Sequence, residues 1–309
     1  MDVNDISFGT VLLLQTSTGV SVNVFLLLFY THMISFSHKI SSSDLIYTHM
    51  ALANTIIFFT YGISETISTW GGRNFLDGNG CKIILCIYRV SRGLAICTTC
   101  FLSVFQAIII SPSTSQWWWV KVKLPKCVVP SFVFFWVLNL LIEINTLMYA
   151  TGPQNSTTVR ITYDLNFCSI IIVSTEVALV NAIFLSGRDL IFVAIMSVAS
   201  GYMVIALHRH HRQVPHLHGP GYSPRQLPEV RAAKRVIILV TLYFLLYGRQ
   251  SIMLSVLLNM KEKSPLLVKA HQLLAFTFSS VCPFLVIYSD RRVRILCKRD
   301  SLVHKVYRL

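Results

Sequence analysis

Charge is what this chain has least of. Of its 309 residues only 13% are charged, against roughly 25% in soluble domains, and acids number 13 against 27 Lys and Arg. Hydrophobic residues make up 54% and the mean hydropathy is +0.61. So little polar surface does not cover so large an apolar core in water. An ordinary soluble globule, a disordered chain and a collagen-like repeat are thereby excluded. Catalytic signatures are also missing: no HExxH, Walker A or GxSxG constellation is present, so neither an enzyme nor a bound cofactor is expected. Nor is there an internal repeat of the transporter kind. A formal charge of +14 would point to nucleic acid in a soluble protein. Here it is read against a membrane, with no nucleic acid partner.

What the chain has in quantity is long apolar runs. A bilayer-spanning helix takes about 20 mostly apolar residues, and 6–30, 45–69, 83–110, 127–149, 231–258 and 266–288 qualify directly. The run from Ser169 to Leu207 is interrupted by Ser186-Gly187-Arg188-Asp189 and fits one span or two. The cations decide. With one span at 187–207, one side collects Lys39, Lys121, Lys123, Lys126, six more from Arg209 to Arg235, and seven from Arg291 to Arg308. The other side has only Arg73, Lys82, Arg160, Arg188, Lys261 and Lys263. An excess of Lys and Arg marks the cytoplasmic side, and an eighth span would put the basic tail outside. The expectation is an all-α membrane protein, one seven-helix domain over 1–309. Its N-terminus is outside, its C-terminus is cytoplasmic, and it sits multi-pass in the plasma membrane.

Three features agree with this orientation. Asp2 and Asp5 stand at the start without any cation, unlike the basic n-region of a cleaved signal peptide. The sequon Asn155-Ser156-Thr157 falls in the second outer loop, where Asn155 is a glycosylation candidate. Cys81 and Cys168 both fall on the outer, oxidising side and form the natural disulfide pair.

Ionisable groups inside a membrane are costly and therefore functional candidates. Arg89 and Arg92 share one face of the third span, roughly 12 and 16 Å below Cys81 at helical rise. Arg249 lies near the outer end of the sixth, with Tyr243, Tyr247 and Gln250 nearby. Lys269 and His271 open the seventh; Glu65 and Glu143 lie towards the outer ends of the second and fourth, and Glu176 precedes the fifth. These groups converge on the outer half, where an entering ligand meets them. Arg89, Arg92, Tyr247 and Arg249 are the expected lining. The competing reading is that the cations and carboxylates simply neutralise one another, or that those near helix ends snorkel. A slight excess of cations suits a carboxylate or sulfate on the ligand.

Other features read as structural. Cys97-Thr-Thr-Cys100 is mid-span in apolar surroundings, packing and not a metal or redox site. Trp117, Trp118 and Trp119 sit where an interfacial aromatic belt belongs. The His208–His218 run, with Arg209 and Arg212, reads as a basic loop against anionic membrane lipid or a cytoplasmic partner. Cys297 follows the seventh span as a palmitoylation candidate.

Seven spans, an outer N-terminus and a Cys81–Cys168 pair resemble a G-protein-coupled receptor. The motifs narrow this. Asp44-Leu-Ile, Leu52-Ala-Asn54, Gly80-Cys-Lys, Cys97-Thr-Thr-Cys and Leu102-Ser-Val-Phe-Gln-Ala-Ile before Ser111-Pro-Ser resemble the vomeronasal type-1 receptor family. So do Ala199-Ser-Gly-Tyr-Met-Val, Arg209-His-His-Arg-Gln-Val, Pro228-Glu-Val-Arg-Ala and Pro283-Phe-Leu-Val-Ile. Departures from rhodopsin-like receptors are Phe105-Gln-Ala-Ile in place of DRY, Cys282-Pro-Phe-Leu-Val-Ile-Tyr288 in place of NPxxY, and Asn54 in place of an Asp. The usual sodium site and proton-linked switch thus lack their residues. Ala232-Ala-Lys-Arg235, where the family usually has a Thr-His pair, marks a divergent member. The resemblance implies a chemosensory receptor for small organic, pheromone-like ligands, acting through a heterotrimeric G protein of the inhibitory class. A bitter-taste-type receptor and a small-molecule transporter are the alternatives.

Overall fold

The structure, a computed structural model, describes residues 3–36, 41–72, 75–111, 118–151, 162–165, 168–171, 175–217, 237–238, 240–241, 244–245, 265–290 and 292–296. Helix α1 is Val3–Phe36. Helix α2, Ser42–Ile57, continues through a π turn, Phe58–Gly62, into α3, Ile63–Thr69. Then come α4, Gly78–Ile110, α5, Trp118–Tyr149, and α6, Thr175–Leu217. The last two are α7, Pro265–Ala275, and α8, Thr277–Ser289. Among the described residues four stretches are long and apolar enough to cross a membrane: Ile6–Phe36, Gly78–Ile110, Trp118–Ile144 and Ser186–Arg209. Of the sixth apolar run, 231–258, only 237–238, 240–241 and 244–245 are described, all helical.

The polar run Ser186-Gly187-Arg188-Asp189 does not break α6. The helix passes straight through it and is longer at both ends than 187–207. The physical reason is that Arg188 and Asp189 find partners on neighbouring helices, so the backbone has no cause to leave its own hydrogen bonds.

Local chemistry explains how the other helices start, approach and bend. The Asp77 side chain accepts from the Gly80 backbone N–H at 2.8 Å, satisfying one of the orphan donors at the start of α4. Helix α1 comes close to α2 because Gly19 faces the buried ring of Phe58, at the head of the π turn; any Cβ at Gly19 would overlap that ring. The small-residue approach is the usual device where helices pack without a hydrophobic driving force. Helix α5 carries Pro125 and Pro130 in its interior, which membrane helices tolerate when neighbours satisfy the freed carbonyls.

The apolar run 266–288 is interrupted at Phe276, between α7 and α8. The Leu273 carbonyl beside the interruption accepts from Gln15 Nε2 at 3.3 Å and from Thr277 Oγ1 at 2.7 Å. Farther along, Pro283 has no N–H for the carbonyl of Ser279, four residues earlier. Asn23 Nδ2, from α1, takes that place at 3.1 Å.

The chain is not purely helical. Strands β1 (Ala150–Thr151), β2 (Thr162–Leu165) and β3 (Cys168–Ile171) form an antiparallel sheet in the order β1-β3-β2. Ala150 pairs with Ile170, and Tyr163 with the same residue from the other side. An all-α expectation omits this sheet, since strands of two to four residues leave no alternating pattern long enough to read. Cys168 opens β3 and is disulfide-bonded to Cys81 in the first turn of α4, 87 residues earlier. The bond pins the sheet over that end of the bundle, hereafter the disulfide end.

Two apolar clusters fill the bundle. One, nearer the disulfide end, gathers Leu12, Phe58, Tyr61, Tyr88, Leu94 and Phe276. The other, towards the far end, gathers Leu26, Ile46, Leu102, Val128, Met203 and Val286. Val240, from the sixth apolar run, is buried in the second.

Candidate functional site: a charged network between three helices

Below the disulfide, α4, α5 and α6 carry five charged side chains that meet one another. Arg89 Nε lies 3.0 Å from Glu143 Oε2, and Arg92 Nη2 lies 3.7 Å from Asp189 Oδ2. Arg188 joins the two pairs: its Nε reaches Asp189 Oδ1 at 2.9 Å and its Nη1 reaches Glu143 Oε1 at 3.5 Å. The same Nη1 donates to Asn139 Oδ1 at 3.0 Å. Asn139 is oriented in turn by donating Nδ2 to the Phe135 carbonyl at 2.8 Å and to Cys97 Sγ at 3.5 Å.

The network is stratified by exposure. The side chains of Glu143, Asp189 and Arg188 are 1, 4 and 6% exposed, whereas those of Arg89 and Arg92 are 25 and 31% exposed. Buried carboxylates survive in a dry interior only with hydrogen-bonded cations beside them. Here Arg188 supplies that internal compensation, so both carboxylates are held from inside while two further guanidiniums stand at the accessible edge. Within this network, among the described residues, three cations meet two anions, an excess of one positive charge. The glycine at position 93 is part of the construction. A Cβ there would collide with Asn139 Oδ1 and stand 2.8 Å from Arg188 Nη1.

The expectation for Arg188 is overturned. Assigned by sequence to the outer-loop cations, it is buried on α6 within the bundle. Asp189 and Asn139 carry no sequence motif, yet both belong to the network. A signal did exist: Arg188, Met196, Ala199 and Met203 are all buried on α6, at spacings of a helical inward face. The polar tetrad at 186–189 masked it, since such clusters ordinarily mark loops. Arg89 and Arg92 both enter the network, each on a different carboxylate. They are also paired with carboxylates, so the neutralising interpretation holds for part of their charge. Tyr247, Arg249 and Asn155 lie outside the described residues, as does Cys297.

Of the other ionisable groups, Glu65 is fully buried on α3. Lys269 places its ammonium 5.6 Å from the Phe8 ring centroid, within cation–π range. Cys97 and Cys100 are free and buried, within the apolar clusters. Among the described residues no group of His, Cys, Asp and Glu is arranged to hold a metal ion.

A second polar knot, unmarked by any sequence motif, ties α2, α4 and α5. Trp136 Nε1 donates to His49 Nε2 at 3.2 Å, and His49 Nδ1 lies 2.8 Å from Thr98 Oγ1. Thr98 Oγ1 already donates to the Leu94 carbonyl at 2.7 Å, so it accepts from His49. The imidazole is therefore neutral, with its proton on Nδ1. Its ring stacks on Phe132 at 4.1 Å between centroids.

At the far end the charges form a clasp. Arg292 forks onto Asp44 (Nη1–Oδ2 3.0 Å, Nη2–Oδ1 2.6 Å) and also reaches Asp290 Oδ2 at 3.0 Å. Tyr30 of α1 donates to the same Asp290 oxygen at 3.1 Å. Burial pushes the Asp290 carboxyl up, but the hydrogen bonds and charge of Arg292 outweigh it and hold the group below its ordinary value. Hydrogen bonding to Asp44 in turn raises the Arg292 guanidinium well above its own.

Comparison with known proteins agrees with this architecture. Residues 6–299 match the vomeronasal organ pheromone receptor family. The chain is 33% identical to vomeronasal type-1 receptor 3 of Homo sapiens over the full length of both. It is 32% identical to olfactory receptor class A-like protein 1 of Danio rerio, covering 94% of this chain and 92% of that one. Vomeronasal type-1 receptor 1 of Gorilla gorilla gorilla is 32% identical over 96% of this chain and 85% of its own. The matched residues span every apolar run, and the chain belongs to the vomeronasal type-1 pheromone receptor family.

Proposed function

We propose that this protein detects small organic ligands carrying a negatively charged group, a carboxylate or a sulfate, at the disulfide end of its bundle. Membership of the family makes it a multi-pass plasma-membrane receptor of the G-protein-coupled, chemosensory kind, from a receptor family and not an enzyme family. The observation that carries the finer reading is the stratified network. Arg89 and Arg92 stand partly exposed while Arg188, from within, compensates Glu143 and Asp189. Among the described residues the network holds more guanidiniums than carboxylates, and such a site in low dielectric pairs best with an anion of forked geometry. Tyr247 and Arg249, on the sixth apolar run, complete the lining in this reading.

The orientation belongs to the same proposal: disulfide end outside, far end cytoplasmic. Its support is the charge asymmetry, with Lys121, Lys123, Arg292 and Arg294 all on segments at the far end. The basic loops and tail then face anionic lipid and a heterotrimeric G protein, of the inhibitory class by family resemblance. Ligand binding differentially stabilises one arrangement of the third, fifth, sixth and seventh spans.

The test is ligand-dependent nucleotide exchange over a panel pairing each steroid-like or aromatic acid and sulfate with its neutral parent. Anionic members are expected to be the more potent. Arg89→Ala and Arg249→Ala are each expected to lower potency roughly tenfold, the loss of one charge-assisted hydrogen bond. Unchanged potency in both variants, at normal surface expression, refutes the pocket; ligand flux without nucleotide exchange marks a transporter instead.

A further inference from the structure

The third span ends, where rhodopsin-like receptors carry DRY, in a different device. Helix α4 stops at Ser111, whose backbone leaves the helical region (φ −55°, ψ 138°). The last carbonyls of a helix have no intrahelical donor. Here Lys121, from the first turn of α5, reaches back: its Nζ donates to the Ile109 carbonyl at 2.7 Å and to the Ser111 carbonyl at 3.4 Å. An ammonium at a helix C-terminus is favoured by the backbone dipoles as well as by the bonds themselves. The side chain of Ser111, 3% exposed, is engaged from another direction: Tyr202 of α6 donates its hydroxyl to Ser111 Oγ at 3.0 Å. One residue thus receives both α5 and α6 at the terminus of α4. Leu124 on α5, Met203 on α6 and Val240 on the sixth run belong to one buried apolar cluster, so these segments also meet through apolar packing.

We infer that Lys121 and Tyr202 are positioning residues for coupling to the G protein, holding the far ends of α4, α5 and α6 together and so setting the receptor's basal activity. The inference rests on the proposed orientation and receptor reading. A protein partner that inserts between these helix ends must part or rotate them, and three directional bonds on one helix terminus oppose that motion. Lys121 and Tyr202 stand on separate helices and act on separate atoms of α4, so their restraints are independent. Restraints of this strength are of the size that biases a two-state equilibrium without locking it: one net hydrogen bond is worth roughly a fivefold shift in population.

The experiment is ligand-free nucleotide exchange by the full-length receptor in phospholipid nanodiscs, with purified heterotrimeric G protein. Tyr202→Phe removes one hydroxyl, and Lys121→Met removes the ammonium while keeping the stem. Each is expected to raise basal exchange roughly fivefold, and together they are expected to multiply. Lys121→Arg retains a donor and is expected to stay near the wild-type rate. Ser111→Ala is expected to raise basal exchange at least as much as Tyr202→Phe, and Tyr202→Phe to add nothing on top of it, because the hydroxyl then has no Ser111 oxygen to bond. Basal exchange that is unchanged or lowered in folded Tyr202→Phe and Ser111→Ala overturns the inference while leaving the receptor reading intact. A folded wild type that drives no exchange above empty nanodiscs with any G-protein class, both without ligand and across the panel of paired acids, sulfates and neutral parents, overturns that reading, and this inference with it.

Discussion

Asn23 on α1 donates its Nδ2 hydrogen to the carbonyl oxygen of Ser279 on α8, at 3.1 Å. The bond stands where Pro283 withholds the helix's own donor. A second hydrogen goes to the Gly19 carbonyl at 2.8 Å, which fixes the amide's orientation. Asn23→Ala is therefore expected to lower thermal stability by on the order of 1 kcal/mol. The loss is expected to shrink when Pro283→Ala restores an N–H to the helix. A double-mutant cycle on detergent-purified receptor checks this; strictly additive losses would show that the amide is not substituting for the missing donor.

Gly93 leaves room for the hydrogen bond between Arg188 and Asn139. Gly93→Ala drives a methyl into Asn139 Oδ1 and is expected to destabilise the fold by about 1–3 kcal/mol, as overpacking does. Removing the obstruction with Asn139→Ala is expected to return part of that loss. Surface expression and melting temperature of the two single variants and the double read the effect, and a fully stable Gly93→Ala contradicts the packing described.

Arg188 compensates two buried carboxylates from within. Arg188→Met takes from Glu143 and Asp189 the cation that meets them from within, and breaking a buried ion pair from one side costs about 3–5 kcal/mol. The receptor is expected to be retained inside the cell. Adding Glu143→Gln, which removes one of the two undercompensated charges, is expected to restore surface expression partly; quantitative surface labelling of the single and double variants distinguishes the outcomes.

The far-end clasp makes a pH prediction. Asp290 is held below its ordinary pKa, so its contribution to stability is fully present above the unfolded-state value, about 4. It is lost as pH falls through the lower folded-state value. Asp290→Asn should therefore melt earlier than wild type from about pH 5 to 8 by a constant margin. The two melting curves are expected to converge only in more acidic buffer. A margin that changes across neutral pH would assign the effect to some other group.

The apolar runs marked the helices in the sequence, because crossing a bilayer demands a local property: some 20 consecutive residues that satisfy their own backbone. Cys81 and Cys168 pair on position alone, and the structure joins them. Arg89 and Arg92 announce themselves as charges inside an apolar run. Arg188 does not, because its polar neighbours imitate a loop when read along the chain. Its place depends on Glu143 and Asn139, more than forty residues away.

Composition and apolar run length already place this chain in a membrane as a bundle of helices, because both are sums over neighbouring residues. Which charge compensates which follows from the packing of the helices. That packing puts Arg188 between Glu143 and Asp189, Asn23 on the Ser279 carbonyl that Pro283 leaves without its helical donor, and Tyr202 and Lys121 on Ser111. Those are contacts between helices far apart in the chain. Their energies depend on distance and burial, quantities that exist only once the helices have packed.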